Sequence, residues 1–483
     1  MYSANAGGLR DGVQTAGRDG EEGSMRCWTR LFFVGFVGVA GLLAVGCGAA
    51  EEEGGETQEV DECSPACAKA VDVAAGWSHT CAVLDDGRVK CWGDNWVGQL
   101  GIGDTRTRGE GPGQMGTRLP AAELGTGSAA VAVAAGAWHS CALLHGGSVK
   151  CWGFNEYGQL GVGDYRNRGN DPGEMGDALP AVDLGAGKTA TAIVAGAWHS
   201  CALLHDGGVK CWGDNQSGQL GLGDVEARGD DAGEMGDGLP AVDLGAGQAA
   251  VAIAAGEAHT CALLGDGGVK CWGDNRSGRL GLGDVEARGD DAGEMGDSLP
   301  AVDLGAGQAA VAIAAGEAHT CALLGDQSVK CWGYSRYGRL GTGKDDRGVE
   351  PEQMGDELPR VDMGGSKKSM GLSVGWAHSC VLMKEGGIKC WGHNGSGQLG
   401  IGDEVDHGEA RWGMSDSLPF VNVGAGEVPV LVRAGSSHTC ALLGEGRLKC
   451  WGENMSGQLG LGDTVPRGVT AEDMGDALPA VKL

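Results

Sequence analysis

The pattern His-Thr/Ser-Cys…Lys-Cys-Trp-Gly occurs seven times along this chain, with successive copies 60 residues apart except for one step of 59, from Cys321 to Cys380. Each copy holds two cysteines ten positions apart: Cys81 with Cys91, Cys141 with Cys151, Cys201 with Cys211, Cys261 with Cys271, Cys321 with Cys331, Cys380 with Cys390, and Cys440 with Cys450. A fixed period of this size marks a repeat architecture, because one such unit cannot bury its apolar face alone and must stack on its neighbours. Residues 71–483 therefore read as one object, where length alone would suggest two or three domains. Glycine supplies 95 residues without a Gly-X-Y period, which excludes collagen.

One repeat shows how the unit folds. Leu239-Pro-Ala-Val-Asp-Leu244 follows a Pro break, Ala249–Ala255 alternates Val251 and Ile253 with alanine, and His259–Leu264 and Val269–Trp272 complete the set. Each reads as a short strand, and the glycines between them leave no room for a helix of two turns. The expectation is four strands per repeat and an all-β, seven-bladed propeller. The first copy begins at Val71 without a preceding Leu-Pro segment, whereas the chain ends in Leu478-Pro-Ala-Val-Lys-Leu483. That asymmetry predicts that the C-terminal strand completes the first blade and closes the ring.

The cysteine pairs fit this reading. Between Cys81 and Cys91, Asp85-Asp86-Gly87 can form a three-residue hairpin loop with Gly87 in the left-handed position. Cys81 then faces Cys91 at a non-hydrogen-bonded pair, where backbones approach closely enough for a disulfide. Zinc sites use tighter ligand spacing than these pairs offer. Seven intra-repeat disulfides are expected, each stabilising by about 2–3 kcal/mol on the loop-entropy estimate.

Residues 256–283 carry Gly256, His259, Trp272, Gly273, Asn275, Gly278, Leu280, Gly281 and Gly283. This arrangement resembles the repeat of the regulator of chromosome condensation family, and the likeness extends over 71–483. The resemblance implies a seven-bladed β-propeller. The fifth copy departs furthest, with Ser335 in place of Asn and Lys344 in place of Asp. The family's guanine-nucleotide exchange activity is not expected here, because no unique insertion interrupts the uniform ring.

Residues 1–46 read as an N-terminal extension and signal peptide, and 47–70 as an acidic tether. Leu31–Ala50 is a long apolar run preceded by Arg26 and Arg30 and followed by Glu51, Glu52 and Glu53. Its end, Leu42-Leu43-Ala44-Val45-Gly46-Cys47, resembles a bacterial lipobox, which makes Cys47 the expected lipid attachment site and Met25 the expected start. The alternative is an uncleaved membrane anchor. Either places the body outside the cytoplasm, at the cell envelope, in keeping with paired cysteines. Cys63 and Cys67 are left over, their pairing open.

A net charge of −29 argues against nucleic acid as a partner and favours a soluble monomeric body. The seven histidines (His79, His139, His199, His259, His319, His378, His438) stand one per blade, too far apart to share a metal, and are expected to hydrogen-bond the strand turn. Lysines before the second cysteine, such as Lys90, are expected to pack along the indole and reach an acidic loop. The loops themselves (Asp224, Glu226, Asp230, Asp231, Glu234, Asp237, repeated at 284–297) have enough carboxylates for Ca²⁺. They lack the Asp-x-Asp-x-Asp-Gly order, so solvated loops and no cofactor are the expectation.

No nucleophile–base–acid set appears. Residues 211–270 and 271–330 differ at only five positions, which suits a modular surface better than one asymmetric catalytic centre. Variation concentrates in the turn after Trp-Gly: Trp96, Phe154, Tyr157, Gln216, Arg276, Tyr334, Arg336, Tyr337, His393 and Met455. A constant frame presenting variable aromatic and Arg residues is what a protein-binding face uses. The expected function is a membrane-tethered scaffold or receptor, not an enzyme. The enzyme alternative is an envelope hydrolase or lyase acting on glycans through the acidic loops.

Overall fold

Each repeat builds its sheet outward from the cysteine hairpin. In the first, β1 (Ala70–Ala75), β2 (His79–Leu84) and β3 (Val89–Gly93) pair antiparallel in that order. Cys81 faces Cys91 and Val83 faces Val89, with Gly87 at φ 82° in the turn. The same trio recurs to β19 (Pro429–Ala434), β20 (His438–Leu443) and β21 (Leu448–Gly452), giving seven three-stranded sheets among the described residues. The computed structural model describes residues 68–365, 367–410 and 413–483, all within the compact unit Gln58–Leu483. Cys27, Cys47, Cys63, Cys67 and the leader and tether readings lie outside the described residues. Among the described residues no helix is long and apolar enough to cross a membrane.

The sulfurs of every hairpin pair are bonded, as the spacing predicts. Cys81 is joined to Cys91, Cys141 to Cys151, Cys201 to Cys211 and Cys261 to Cys271. Cys321 is joined to Cys331, Cys380 to Cys390 and Cys440 to Cys450, and in all seven pairs the Cα atoms stand 4.1 Å apart. The second strand is buried along its whole length in all seven copies, since neighbouring blades cover both its faces. The core accordingly sits between sheets. Cys81, Val83, Val89 and Cys91 of the first repeat pack on Ala130, Val133, Leu144 and Trp152 of the second. The last junction is built alike, with Leu442, Leu448 and Cys450 against Ala70, Val73 and Trp92.

Two expectations are corrected. The blades have three strands, not four. The Leu-Pro segment lies beside the third strand but makes one ladder bond, Ala122 N–H to Val89 O at 2.8 Å in the first repeat. Pro120 has no N–H to give, and Leu119 and Leu124 turn into the core, so pairing stops there. The C-terminal segment also belongs to the last blade, not the first: Val481 N–H donates to Leu448 O at 2.7 Å. First and last repeats meet instead through side chains and a few backbone bonds. Among these are Ser436 N–H to Gly76 O at 3.0 Å and Gly116 N–H to Lys482 O at 2.9 Å.

Candidate functional site

One interlock recurs at every junction and fixes the face on which the variable residues stand. The hydroxyl of Thr260 donates to Gln219 O of the preceding repeat at 2.9 Å, so it accepts at its lone pair from His199 Nε2–H, also 2.9 Å away. Trp272 Nε1–H donates to the same Gln219 oxygen at 3.0 Å. Gly221 lies against that indole at φ 69°, where a Cβ would stand 2.7 Å from Trp272 Nε1. The histidines thus bond the neighbouring blade's hydroxyl rather than their own strand turn, and His438 with Thr80 repeats the bond from last repeat to first at 2.9 Å.

With Nε2 protonated, Nδ1 carries only a lone pair, and in all seven rings that atom is buried without a hydrogen-bond partner. A second proton there would have no acceptor. Burial accordingly holds His79 and His199 down to about 4 and His139, His378 and His438 to about 3. His259 and His319 lie well below the ordinary value for the same reason. These are neutral structural histidines.

The lysines also differ from expectation. Lys270 Nζ donates to Leu244 O at 2.9 Å and Gly296 O at 2.7 Å, so backbone carbonyls of the loop, not its carboxylates, receive the ammonium. The loop carboxylates are occupied in shaping their own turns. Asp224 pairs with Arg228 at 2.6 Å, and Glu234 accepts the N–H groups of Gly229 and Asp231. Among the described residues no group of three or more His, Cys, Asp or Glu could hold a metal ion.

The variable turn residues fall into separate groups. Trp96 is 53% exposed and meets Trp138 edge-to-face at 5.1 Å. Phe154 is buried between Trp138 and Trp198, both 5.7 Å away, and Tyr157 flanks Trp198 at 6.1 Å. Phe154 is therefore a support for the indoles and not itself a contact surface. Across the face, Arg336 lies over Tyr337 at 4.7 Å, Tyr337 meets His393 at 4.5 Å, and the buried Arg339 sits under both Tyr334 and Tyr337. Burial lowers the His393 pKa. Arg276 is held by Asp274 at 2.9 Å, and Met455, 77% exposed, stands apart.

The sequence reading missed the residues between Gly and His of the motif. Trp77 contacts Trp138 at 5.4 Å, Trp198 at 5.5 Å and Trp376 at 4.8 Å, which makes it the hub of an indole cluster. Glu257 and Glu317 occupy Trp77's position in the fourth and fifth repeats. Two further cations, Arg279 and Arg339, replace the Gln of other copies. Arg339 pairs with Glu317 at 2.8 Å and Arg279 with Asp274 at 3.0 Å. Burial pushes the Asp274 carboxyl up, but the hydrogen bond from Arg276 and the charge of Arg279 outweigh it and leave it lowered. The Glu257 carboxyl is raised, first by burial and then by Glu317. The detectable signal was variation at two positions inside an otherwise constant Gly-x-x-His.

The RCC1-like domain model matches residues 37–370, and the regulator of chromosome condensation (RCC1) repeat matches 371–398 and 430–458. The chain belongs to the RCC1-repeat family. The ultraviolet-B receptor UVR8 of Arabidopsis thaliana is 31% identical over 416 residues, 85% of this chain and 83% of that protein. The human E3 ubiquitin-protein ligase HERC2 is 29% identical over 77% of this chain, which spans 7% of that ligase. Among solved structures, yeast Prp20p superposes with a TM-score of 0.57 at 24% identity, over 75% of this chain and 80% of that one. Human WBSCR16 gives 0.58 at 20% identity, over 77% and 86%. The RCC1 repeat accounts for the shared blade frame. The indole and Arg/Glu positions described above are this chain's variable residues upon it.

Proposed function

We propose that this RCC1-repeat propeller is a protein-binding scaffold that engages its partner through the rim carrying Trp96, Tyr157, Tyr334, Arg336, Tyr337 and His393. The observation that carries the reading is the contrast between a frame repeated almost without change and the aromatic and basic side chains that vary in the turn after Trp-Gly. Rigid aromatic and Arg side chains contribute most of the energy in protein interfaces. The reported binding of Prp20p to Gsp1p and histones supports protein recognition as a use of this frame. The propeller is tethered at the bacterial cell envelope by lipid on Cys47 and acts as a monomer there, without a cofactor.

The test is proximity cross-linking on the intact envelope with wild type and with Trp96→Ala/Tyr337→Ala. The double variant retains its melting temperature and loses the cross-linked partner; an unchanged cross-link overturns the assignment. Intact-mass analysis tests the tether, since a mature chain beginning at Met25 without lipid refutes acylation of Cys47. A second reading follows from the indole cluster around Trp77 and the ultraviolet-B receptor among the relatives: the cluster absorbs near-ultraviolet light and changes its packing. Near-ultraviolet circular dichroism that is identical before and after illumination removes it.

A further inference from the structure

The end of the axis nearest the indoles narrows to a cavity of about 90 Å³. Its walls are the small-residue and glycine pairs that end the innermost strands, capped by Trp77, Trp376, Glu257, Glu317 and Ser436. Two tryptophans and two glutamates therefore line one open mouth. The carboxylates differ in what they already hold. Glu317 is paired with Arg339 at 2.8 Å. Asp274, behind the mouth, takes Arg276 at 2.9 Å and Arg279 at 3.0 Å. The Glu257 carboxylate has no hydrogen bond or ion pair among the described residues.

Neither nearby guanidinium is free to turn to it. Arg276 and Arg279, the guanidiniums whose charges reach Glu257, are both held by Asp274, at 2.9 Å and 3.0 Å, and Arg279 also donates to Glu317 O at 2.9 Å. The mouth combines a carboxylate that makes no hydrogen bond or ion pair among the described residues with π faces, in a body of net charge −29.

We propose that this mouth binds an organic cation, an ammonium or guanidinium head group seated against the indoles of Trp77 and Trp376 with the Glu257 carboxylate as its counter-ion. Indole faces attract such cations through the ring quadrupole, most strongly where water is excluded. A charge-assisted hydrogen bond to the carboxylate adds direction for any head group that has an N–H. Metal cations are a poorer match, since hard ions require a shell of oxygens that two indoles cannot supply. The small volume accepts a head group and leaves the rest of the ligand outside. The cation can therefore be carried on a free amine or on a basic side chain of another protein. Since the rim residues Trp96 and Tyr337 do not line this cavity, the site stands independently of the rim reading.

The test uses the full-length protein with tetramethylammonium, n-butylammonium, n-butylguanidinium and an end-blocked Ala-Lys-Ala peptide, followed by calorimetry and tryptophan fluorescence. n-Pentanol is the uncharged control. Charged probes are expected to bind and change tryptophan emission, and n-pentanol to bind at least tenfold more weakly. Glu257→Gln and Trp376→Leu each weaken the charged probes at least tenfold, whereas Tyr165→Ala, at an exposed ring outside the mouth, leaves them unchanged. Should one of the first two variants fail to fold, the other carries the test. Tighter binding of the blocked peptide than of n-butylammonium assigns the site to a protein side chain; the reverse assigns it to a free amine. Absence of binding by every charged probe, equal binding of n-pentanol, or full binding by Glu257→Gln overturns the proposal.

Discussion

Acidification should unfold this propeller far above the pH at which its carboxylates protonate, because seven neutral imidazoles hold its junctions. The ordinary histidine pKa of 6.5 applies to the unfolded chain, while the folded values are about 4 for His79 and His199 and about 3 for His139, His378 and His438. Folded pKa lies below unfolded pKa, so the unfolded state binds more protons and stability falls as pH drops through 6.5. At pH 5 nearly every unfolded histidine is protonated and almost no folded one is. Each contributes a slope of about 1.4 kcal/mol per pH unit, so the seven give about 9 kcal/mol per unit there. Integrated from pH 7 to pH 5, the loss is about 13 kcal/mol, comparable to the whole stability of a typical domain. Asp72 and Glu257, whose carboxyls burial raises, act in the opposite sense nearer their own range. Guanidinium unfolding at pH 7, 6 and 5, with proton uptake measured by calorimetry in buffers of different ionisation enthalpy, reads this directly. His199→Gln should lower the uptake by one proton. A midpoint that does not move between pH 7 and pH 5, or an uptake below about two protons at pH 5, refutes the reasoning.

Replacing Cys201 and Cys211 together by Ala should lower stability by about 2–3 kcal/mol, measured by denaturant titration; no change would mean the hairpin is as constrained without its bond. Gly221→Ala combines a left-handed backbone with a clash on Trp272 Nε1, and should cost about 3 kcal/mol by the same titration while shifting tryptophan emission. Deleting 477–483 removes buried Leu478 from the junction of the sixth and seventh repeats and buried Val481 from that of the last and first, and a fall of about 3–5 kcal/mol is expected. Trp96→Ala, at an exposed position, should change stability by less than about 0.5 kcal/mol, so that any loss of partner cross-linking is a surface effect.

The hairpin was legible because its information is local: a separation of ten positions, one left-handed glycine at Gly87 and two cysteines fix register without reference to the rest of the molecule. The roles of His199 and Lys270 were not, since their partners, Thr260 of the next repeat and the carbonyls of Leu244 and Gly296, come from segments whose approach only the assembled ring determines. The fourth strand was overread for a physical reason. Leu239-Pro-Ala-Val-Asp-Leu244 has the apolar alternation of a strand, but Pro240 lacks a donor and only Val242 N–H reaches the third strand, at Val209 O. At the candidate site the turn after Trp-Gly identified Trp96 and the Tyr337–His393 pair. Trp77, Trp138, Trp198 and Trp376 escaped because they occupy two different positions in the motif and converge only in three dimensions.

Among the described residues every sheet is made from one uninterrupted stretch of chain, and the first and last repeats exchange no strand. Six junctions are therefore crossed by peptide, and the one between the seventh and first repeats is a seam closed by side chains and a few backbone bonds. Under mechanical load or on warming, this seam is where opening begins. Hydrogen exchange at Ser436 and Trp92 should outpace that at equivalent positions elsewhere, so the molecule can spring into an open horseshoe without breaking a covalent link.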